Sequence, residues 1–243
     1  MRMTREQRKI SIIVPAYNEE KRIRETLEHL RNLKFKEYPD LEIIVSVNGC
    51  IDKTIPLAQP LADKIVILKE KGLSRARNSG AESATGEILV FMDADVRISE
   101  GTLTKINEIV EKEIIGAATA YPNIDSWKAH FVVGLKNFLR WSGIIKGISQ
   151  LIFCHSDLVK KKNIFFDPGT NVGEIYDFFI RARRYGGARY KYIRYSKAWS
   201  FSLDRYEKNG YVNTFLFWVK WWYLNRILKR DCEQLEKKYW SSK

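Results

Sequence analysis

The sequence predicts an α/β protein with a mostly parallel, doubly wound central sheet flanked by helices. Short apolar runs rich in β-branched residues alternate with segments of helical periodicity, which is typical of βαβ units. The runs are apolar at successive positions, as expected of strands that helices cover on both faces. A chain of 243 residues with 45% hydrophobic and 29% charged residues is also long enough to bury one substantial core.

The first half of the chain has the clearest strand–helix alternation. Its pattern predicts strands at 10–14, 41–47, 64–68 and 87–92, and helices at 20–33 and 74–84. Between the second and third strands, Pro56 and Pro60 lie inside the segment where a crossover helix is expected. Because an interior proline costs a helix roughly 3 kcal/mol, we expect a short or broken helix there.

The second half alternates less regularly. Its pattern predicts helices at 100–111, 127–148 and 174–185, and strands at 116–121, 150–154 and 190–194. The helix at 127–148 is partly amphipathic, because Phe131, Phe138 and Ile145 are spaced by seven residues. Lys136 and Arg140 lie on another side of this helix.

The charge of the chain indicates an anionic partner. The formal net charge is +13 and the isoelectric point is about 9.6, which suits nucleic acid, an acidic membrane surface or a phosphorylated substrate. No nucleic-acid-binding motif is present, so nucleic acid is not predicted. The three cysteines have no metal-binding or disulfide spacing. With no signal-peptide pattern and no apolar run of about 18 residues, we expect a cytoplasmic protein without an ordinary transmembrane helix.

Two carboxylates follow the fourth predicted strand, in Met92-Asp93-Ala94-Asp95. Their i, i+2 spacing brings hard oxygen ligands to the carboxyl edge of the sheet, where open α/β sheets bind ligands. Such oxygens suit Mg²⁺ or Mn²⁺, and a divalent cation there would neutralise a diphosphate. Since aspartate is also common after strands, a solvated turn is the alternative interpretation of this triplet taken alone.

Three segments together resemble family 2 of the glycosyltransferases, whose members have the GT-A fold. They are ISIIVPAYNEE from residue 10, LEIIVSVNGCIDKT from residue 41 and GLSRARNSGAESATGEILVFMDADVRIS from residue 72. The resemblance covers roughly residues 9–210, and order and spacing agree over all three segments. It implies a GT-A domain with a Rossmann-like sheet at 1–210, a nucleotide-sugar donor, and a divalent cation, Mn²⁺ or Mg²⁺, as the cofactor.

The resemblance also assigns donor binding to residues at strand ends and in nearby loops: Pro15, Ala16, Tyr17, Glu19, Asn48, Arg77, Asp93, Ala94 and Arg205. Tyr17 would stack on the base, while Arg77 and Arg205 would approach the diphosphate. Asp95 would hold the metal, and Asp93 would contact the ribose or share the metal. The alternative is that these residues have only structural roles. Residues 15–19 would then be an ordinary turn that caps the next helix, and Arg77 would be a solvated residue at the start of its helix.

Asn48 is the first departure from the family pattern. Val47-Asn48 stands where members usually carry two aspartates, the second of which contacts the base. An asparagine carbonyl can accept a hydrogen bond from uracil N3–H, but it cannot offer guanine a clamp of two carboxylate oxygens. A UDP-sugar is therefore favoured over a GDP-sugar, and Asp52 is the nearest acid left in this turn.

The expected catalytic base is the second departure. FFDPGTNVGEIYDFFIRARRYGG from residue 165 resembles the acceptor-side segment of the family, but Ile175 replaces the aspartate of its Glu-Asp pair. An inverting transfer to a hydroxyl requires a carboxylate base, for which Glu174 is the first candidate and Asp177 the second. The alternative is that both acids only stabilise the first turn of a helix.

The C-terminal segment 211–243 is aromatic and basic, and we predict a helical tail. Its rings and charges, which resemble a membrane-interface composition, are Trp218, Trp221, Trp222, Tyr223, Lys220, Arg226, Lys229 and Arg230. This composition favours peripheral contact with an anionic membrane on the cytoplasmic side. Packing on the domain, or on a second subunit of a homo-oligomer, is the alternative.

The sequence as a whole predicts an inverting, metal-dependent glycosyltransferase that moves a sugar from a nucleotide-sugar to a hydroxyl of a saccharide or lipid-linked acceptor. One alternative is a polyprenyl-phosphate glycosyltransferase, because a phosphate acceptor is already anionic and needs no strong base, which suits Ile175. An alternative from another class is a non-catalytic nucleotide-sugar or lipid-binding protein of the same fold. The retention of Asp93 and Asp95 argues against that last hypothesis.

Overall fold

A seven-stranded sheet forms the centre of the computed structural model, which describes residues 7–111, 114–118, 120–122, 126–142, 150–170, 173–193, 199–201 and 204–226. The strands are β1 (Ile10–Ala16), β2 (Leu41–Asn48), β3 (Lys64–Leu68), β4 (Ile88–Met92), β5 (Val96–Ile98), β6 (Ile114–Ala118), β7 (Ala120–Pro122), β8 (Leu151–His155), β9 (Arg189–Ile193) and β10 (Trp199–Phe201). The helices are α1 (Ile23–Lys36), α2 (Thr54–Ala58), α3 (Leu73–Ser83), α4 (Thr102–Ile109), α5 (Trp127–Trp141), α6 (Ser156–Lys160), α7 (Glu174–Gly186), α8 (Asp204–Asn209) and α9 (Tyr211–Arg226).

The strand order of the large sheet is β3-β2-β1-β4-β8-β6-β9. Only β8 runs against its neighbours in this sheet, since its pairings with β4 and β6 are antiparallel and the other pairings are parallel. Strands β1, β2 and β4 are buried along their whole length, as the unbroken apolar runs predict. The mostly parallel α/β sheet with flanking helices is therefore confirmed.

Most element bounds differ from the prediction by a few residues, and one region differs in kind. The predicted strand at 116–121 is wrong as one strand, because β6 joins the large sheet while β7 pairs with β10 in a second, three-stranded sheet. The predicted helix at 127–148 is described only as α5, and residues 143–149 lie outside the described part. The crossover with two prolines contains only the five-residue α2, as expected.

The tail is described only as far as α9, and residues 227–243 lie outside the described part. The division of the chain at residue 210 therefore stays a prediction. Within the described residues, none of the helices has the length and apolar character needed to cross a bilayer.

Helix α3 packs very closely on β1 and β2 at Gly80. A Cβ atom at this position would lie 2.4 Å from Cγ2 of Ile13 and 2.6 Å from Oγ of Ser46. Only a residue without a side chain allows the helix to approach the sheet this closely. Arg77, three residues earlier, lies on the same face of the helix and is thereby directed towards the sheet.

Glu42 on β2 ties three strands to the turn before β4. Its side chain is 6% exposed; it pairs with Lys64 Nζ at 3.0 Å and accepts hydrogen bonds from Ser11 Oγ and from the amide and hydroxyl of Thr85. Burial by itself raises the pKa of this carboxyl, but the hydrogen bonds from Ser11, Thr85 and Lys64 outweigh it and lower the pKa from 4.5 to about 2. The turn that leads into β4 is thus fixed by a buried, ionised carboxylate.

We expect Glu42→Gln to destabilise the fold by about 3 kcal/mol at neutral pH, the equivalent of the lowered pKa. A lowered pKa gives stability that is present above pH 4.5 and is lost as the pH falls towards 2. The variant should therefore lack that part of the acid dependence in urea unfolding curves. Glu28→Gln, at an exposed position on α1, is the control and should leave the curve unchanged; equal acid dependence in both variants would contradict the assignment.

Candidate active site

The carboxyl ends of β1, β2 and β4 meet at one edge of the sheet, because these neighbouring strands run parallel. The turn with Tyr17 follows β1, Gly49 follows β2, and Asp93 follows β4. Open α/β sheets bind their ligands at such an edge. The three segments that the sequence singled out therefore converge on one site.

Arg77 connects the two ends of the predicted site. Its Nη1 donates to Oε1 of Glu174 at 2.6 Å, and its Nη2 donates to Oδ1 of Asp93 at 3.0 Å. The arginine is only 2% exposed. Burial by itself lowers the pKa of Arg77, but Glu174 and Asp93 outweigh it and raise the pKa above its ordinary value. A permanently charged guanidinium thus holds the turn at 93–95, here called the D-x-D turn, against the start of α7. We call the two ion pairs of Arg77 the Arg77 bridge.

The segment before α7 is also clamped to α3. Nδ2 of Asn78 donates to the carbonyl of Phe166, and the Phe166 amide donates to Oδ1 of Asn78, both at 2.8 Å. The Phe166 ring lies 5.3 Å from the guanidinium carbon of Arg77. Sequence reasoning assigned no role to Asn78 or Phe166, although Asn78 directly follows Arg77 in the quoted block. These two hydrogen bonds fix the backbone at Phe166, eight residues before Glu174, against α3.

The structure separates the two candidates for the catalytic base. Glu174 is buried at the first turn of α7 and faces Arg77 and Asp93. Asp177 instead accepts a hydrogen bond from Arg181 Nε at 2.6 Å, in an i, i+4 pair on the partly exposed side of the same helix. Of the two acids, only Glu174 is joined to the D-x-D turn by the Arg77 bridge.

Asp95 carries negative charge that the surrounding protein does not balance. Burial, together with Asp93 and Glu19, raises the pKa of Asp95 to about 7, while Arg22 acts in the opposite direction. Within the described residues Asp95 forms no salt bridge, and no group of three or more His, Cys, Asp or Glu side chains gathers there. Two carboxylates with excess negative charge fit a divalent cation that takes its remaining ligands from water and a substrate diphosphate.

Ala94, between the two aspartates, is buried, and its carbonyl accepts a hydrogen bond from Thr26 Oγ1 on α1. Thr26 in turn accepts a hydrogen bond from Arg97 Nη1 at 2.6 Å. The D-x-D turn is therefore held from the α1 side as well as by Arg77. Arg205, the last residue of the predicted site, lies in the helix α8 rather than in the expected loop, and its side chain lies outside the described part.

Asn48 is buried, and both ends of its amide bind the backbone. Nδ2 donates to the carbonyl of Ala16 at 2.9 Å, and Oδ1 accepts from the Gly72 amide at 3.0 Å. Asn48 therefore joins the end of β1 to the loop before α3, and its contact with a base stays a prediction. Tyr17, half-buried beyond this link, has Lys71 Nζ 4.1 Å from its ring centre.

Asp52 joins the turns that follow β1 and β2. Its carboxylate accepts hydrogen bonds from the Glu20 amide at 3.1 Å and from the hydroxyl of Thr54 at 2.6 Å. Burial by itself raises the pKa of Asp52, but the hydrogen bonds from Thr54 and Glu20 together outweigh it and lower the pKa. The backbone around Pro15, Ala16 and Glu19 is thereby held in place beside the sheet edge.

Comparison with known protein families identifies the family of the chain. The sequence model described as glycosyl transferase family 2 matches residues 11–183, which include every predicted site residue except Arg205. The chain belongs to this family. The matched residues contain the whole Arg77 bridge, from α3 through the D-x-D turn to the start of α7.

Known relatives and solved structures agree with the family. The dolichol-phosphate mannosyltransferase of Pyrococcus furiosus is 34% identical over 109 residues, which are 42% of this chain and 30% of the relative. The mannosyltransferase PcManGT of Pyrobaculum calidifontis, in complex with GDP-Man and Mn²⁺, is 18% identical with a TM-score of 0.63, over 89% of this chain and 66% of that one. S. aureus TarS in complex with UDP-GlcNAc is 20% identical with a TM-score of 0.62, over 79% and 58%. The chain thus spans less than two thirds of the length of each, and the two structures share its GT-A fold.

We expect Arg77→Met to destabilise the protein by about 3–5 kcal/mol, because it leaves the buried carboxylate of Glu174 and the partly buried carboxylate of Asp93 without their cation. Arg75→Met is the matched control. Arg75 lies on the same helix and pairs with Glu70 in solvent, so its removal should cost almost nothing. Urea unfolding of both variants tests the bridge, and equal stability would show that it does not hold the site together.

Proposed function

We propose that the protein is an inverting, metal-dependent glycosyltransferase that moves a sugar from a nucleotide-sugar to a hydroxyl of its acceptor. The observation that carries this proposal is the Arg77 bridge, which joins the buried carboxylate of Glu174 to Asp93 at the sheet edge. The bridge thereby brings the carboxylates after β4 close to the carboxylate at the start of α7. One pair, after β4, suits a cation and a diphosphate, and the single acid at the start of α7 suits an acceptor.

Asp95, with Asp93 sharing the ligand shell, would hold Mn²⁺ or Mg²⁺. The bound cation would neutralise the nucleoside diphosphate as it leaves. The excess negative charge at Asp95 supports this role. The similar mannosyltransferase PcManGT is a complex with Mn²⁺, which is consistent with it.

Glu174 would act as the general base. Its carboxylate accepts the proton of the acceptor hydroxyl while that oxygen bonds to the anomeric carbon and the bond to the departing phosphate oxygen breaks. Attack from the face opposite the leaving group inverts the configuration at that carbon. Arg77 and the Asn78–Phe166 clamp would keep the carboxylate in the geometry that this proton transfer requires.

A UDP-sugar remains the favoured donor, because asparagine replaces the family's base-contacting aspartate at Asn48. The similar structures include one with UDP-GlcNAc and one with GDP-Man, so the fold accommodates both bases. Screening nucleotide-sugars for Mn²⁺-dependent hydrolysis and for thermal stabilisation would identify the donor. Stabilisation without hydrolysis or transfer would instead favour a non-catalytic nucleotide-sugar-binding protein.

A polyprenyl phosphate is the second candidate acceptor. The likeness to a dolichol-phosphate mannosyltransferase favours it, and so does Ile175 in place of the usual aspartate. A phosphate oxygen is already anionic and needs no base to remove a proton. Glu174 would then only pair with Arg77 and would take no part in a proton transfer. The variants of Glu174 and Asp177 distinguish the two acceptors.

We expect Asp95→Asn to abolish Mn²⁺-dependent binding of the nucleotide while leaving the fold intact, because it removes the main hard ligand at the end of β4. Calorimetric titration with Mn²⁺ and UDP is the measurement. Asp40→Asn, at an exposed position before β2, is the control and should bind as the wild type does. Unchanged affinity in Asp95→Asn would remove the basis of the metal assignment.

If the acceptor is a hydroxyl, Glu174→Gln should reduce transfer roughly 10²–10⁴-fold, the usual contribution of a general base, with little change in donor affinity. Asp177→Asn is the matched control, three residues along the same helix, and should lose far less. Melting temperatures of both variants check that the loss is not one of folding. Near-normal transfer by both would favour the phosphate acceptor, and a selective loss in Asp177→Asn would move the base to that residue.

A further inference from the structure

Helix α5 exposes a continuous row of aromatic rings. Four residues form this aromatic stripe, with exposed fractions of 75%, 66%, 54% and 50%: Trp127, Phe131, Phe138 and Trp141. Their spacing of four, seven and three residues places them on one side of the helix, over about 21 Å of its length. Gly134, between the two phenylalanines, has open space where a Cβ would be. A continuous row of exposed apolar side chains marks an interaction site.

The opposite side of α5 is fixed to the protein. Val132 and Val133 are buried in the core. Nδ2 of Asn137 donates to the carbonyl of Ala120 at 2.7 Å, and the Ala120 amide donates to Oδ1 of Asn137 at 3.0 Å. The side-chain amide of Asn137 thus bonds both backbone groups of Ala120 on β7, as a neighbouring strand would. Because this face is held by packing and by two hydrogen bonds, the aromatic stripe is directed outwards.

Helix α9 packs beside α5 and also exposes apolar residues. Val212, Leu216 and Val219 are exposed, at a spacing that places them on one side of α9. Neither helix contains an aspartate or a glutamate in its sequence, and exposed lysines flank the apolar residues at Lys128 and Lys220. Exposed aromatic and aliphatic side chains flanked by lysines have the composition of an interfacial membrane helix.

We propose that the outer faces of α5 and α9 form a docking surface for an anionic lipid bilayer. Tryptophan at both ends of the aromatic stripe and phenylalanine between them suit the boundary between head groups and acyl chains. The net charge of +13 favours lipid over a second copy of the chain as the occupant of this surface. Two copies would repel each other, whereas acidic lipids would attract either one.

The docking surface is connected to the D-x-D turn through the small sheet. Strand β5 begins directly after Asp95 and pairs with β10, which pairs with β7, and Asn137 of α5 binds β7. A bilayer on α5 would therefore meet the protein at a fixed orientation relative to the active site. This inference does not depend on which donor or acceptor the enzyme uses.

The test is co-sedimentation of the full chain with vesicles of phosphatidylcholine alone or of phosphatidylcholine with phosphatidylglycerol. We expect binding to the anionic vesicles only, weakened by salt. Replacing both Phe131 and Phe138 by glutamate should lower the partition coefficient about tenfold or more, since it removes apolar contact and adds negative charge. Phe35→Glu, at a position on α1 that is 89% exposed, is the matched control and should bind as the wild type does.

Three outcomes would overturn the proposal. The first is equal vesicle binding by the wild type and the double variant, which would place the contact elsewhere, and the second is no binding by either. The third is a concentration-dependent dimer in sedimentation velocity, without lipid, that the double variant abolishes; the surface would then be an interface between two copies. Melting temperatures and nucleotide-sugar hydrolysis in solution check that the double variant is folded, separately from lipid binding.

Discussion

The buried guanidinium of Arg77 is the interaction on which the rest of the site depends. It carries a full charge in a place that water does not reach, and this is tolerated because carboxylates from two distant parts of the chain surround it. Removing one member of such a group leaves an uncompensated charge in a medium of low polarity, which is far more costly than losing a surface pair. The end of β4 and the start of α7 are therefore coupled, and neither can move without disturbing the other.

Several weaker constraints prepare this geometry. Gly80 lets α3 lie against the sheet, so the arginine three residues earlier reaches the carboxyl edge. Asn78 holds the chain before α7 through two backbone hydrogen bonds. Glu42 fixes the turn where β4 begins, at the other end of the strand from Asp93. Each contact acts on backbone position, and together they help to place the carboxylates of Asp93 and Glu174 on either side of Arg77.

The sequence predicted the first four strands well, because buried parallel strands are apolar along their whole length and end at recognisable turns. It did not predict β5, β7 as a separate strand, or β10, since strands of three residues are too short to have a readable period. The pairing of Arg77 with Glu174 joins residues far apart in the chain, and local patterns carry no information about such a contact. Likewise, the spacing of Phe131 and Phe138 predicted that they share one side of a helix, but it did not show that this side faces solvent.

Asn48 shows how a departure from a family pattern can have a structural cause. Its amide donates to one backbone carbonyl and accepts from one backbone amide, a combination that only a side chain with both a donor and an acceptor can provide. A carboxylate in the same place would face the carbonyl of Ala16 with an oxygen, and the two would repel each other. Replacing Asn48 by the family's aspartate would thus disturb these two backbone contacts before it could provide a contact with a base. Asn48 and the loop around Gly72 depend on each other. A chimera that takes one of them from a relative would therefore have to take the other as well.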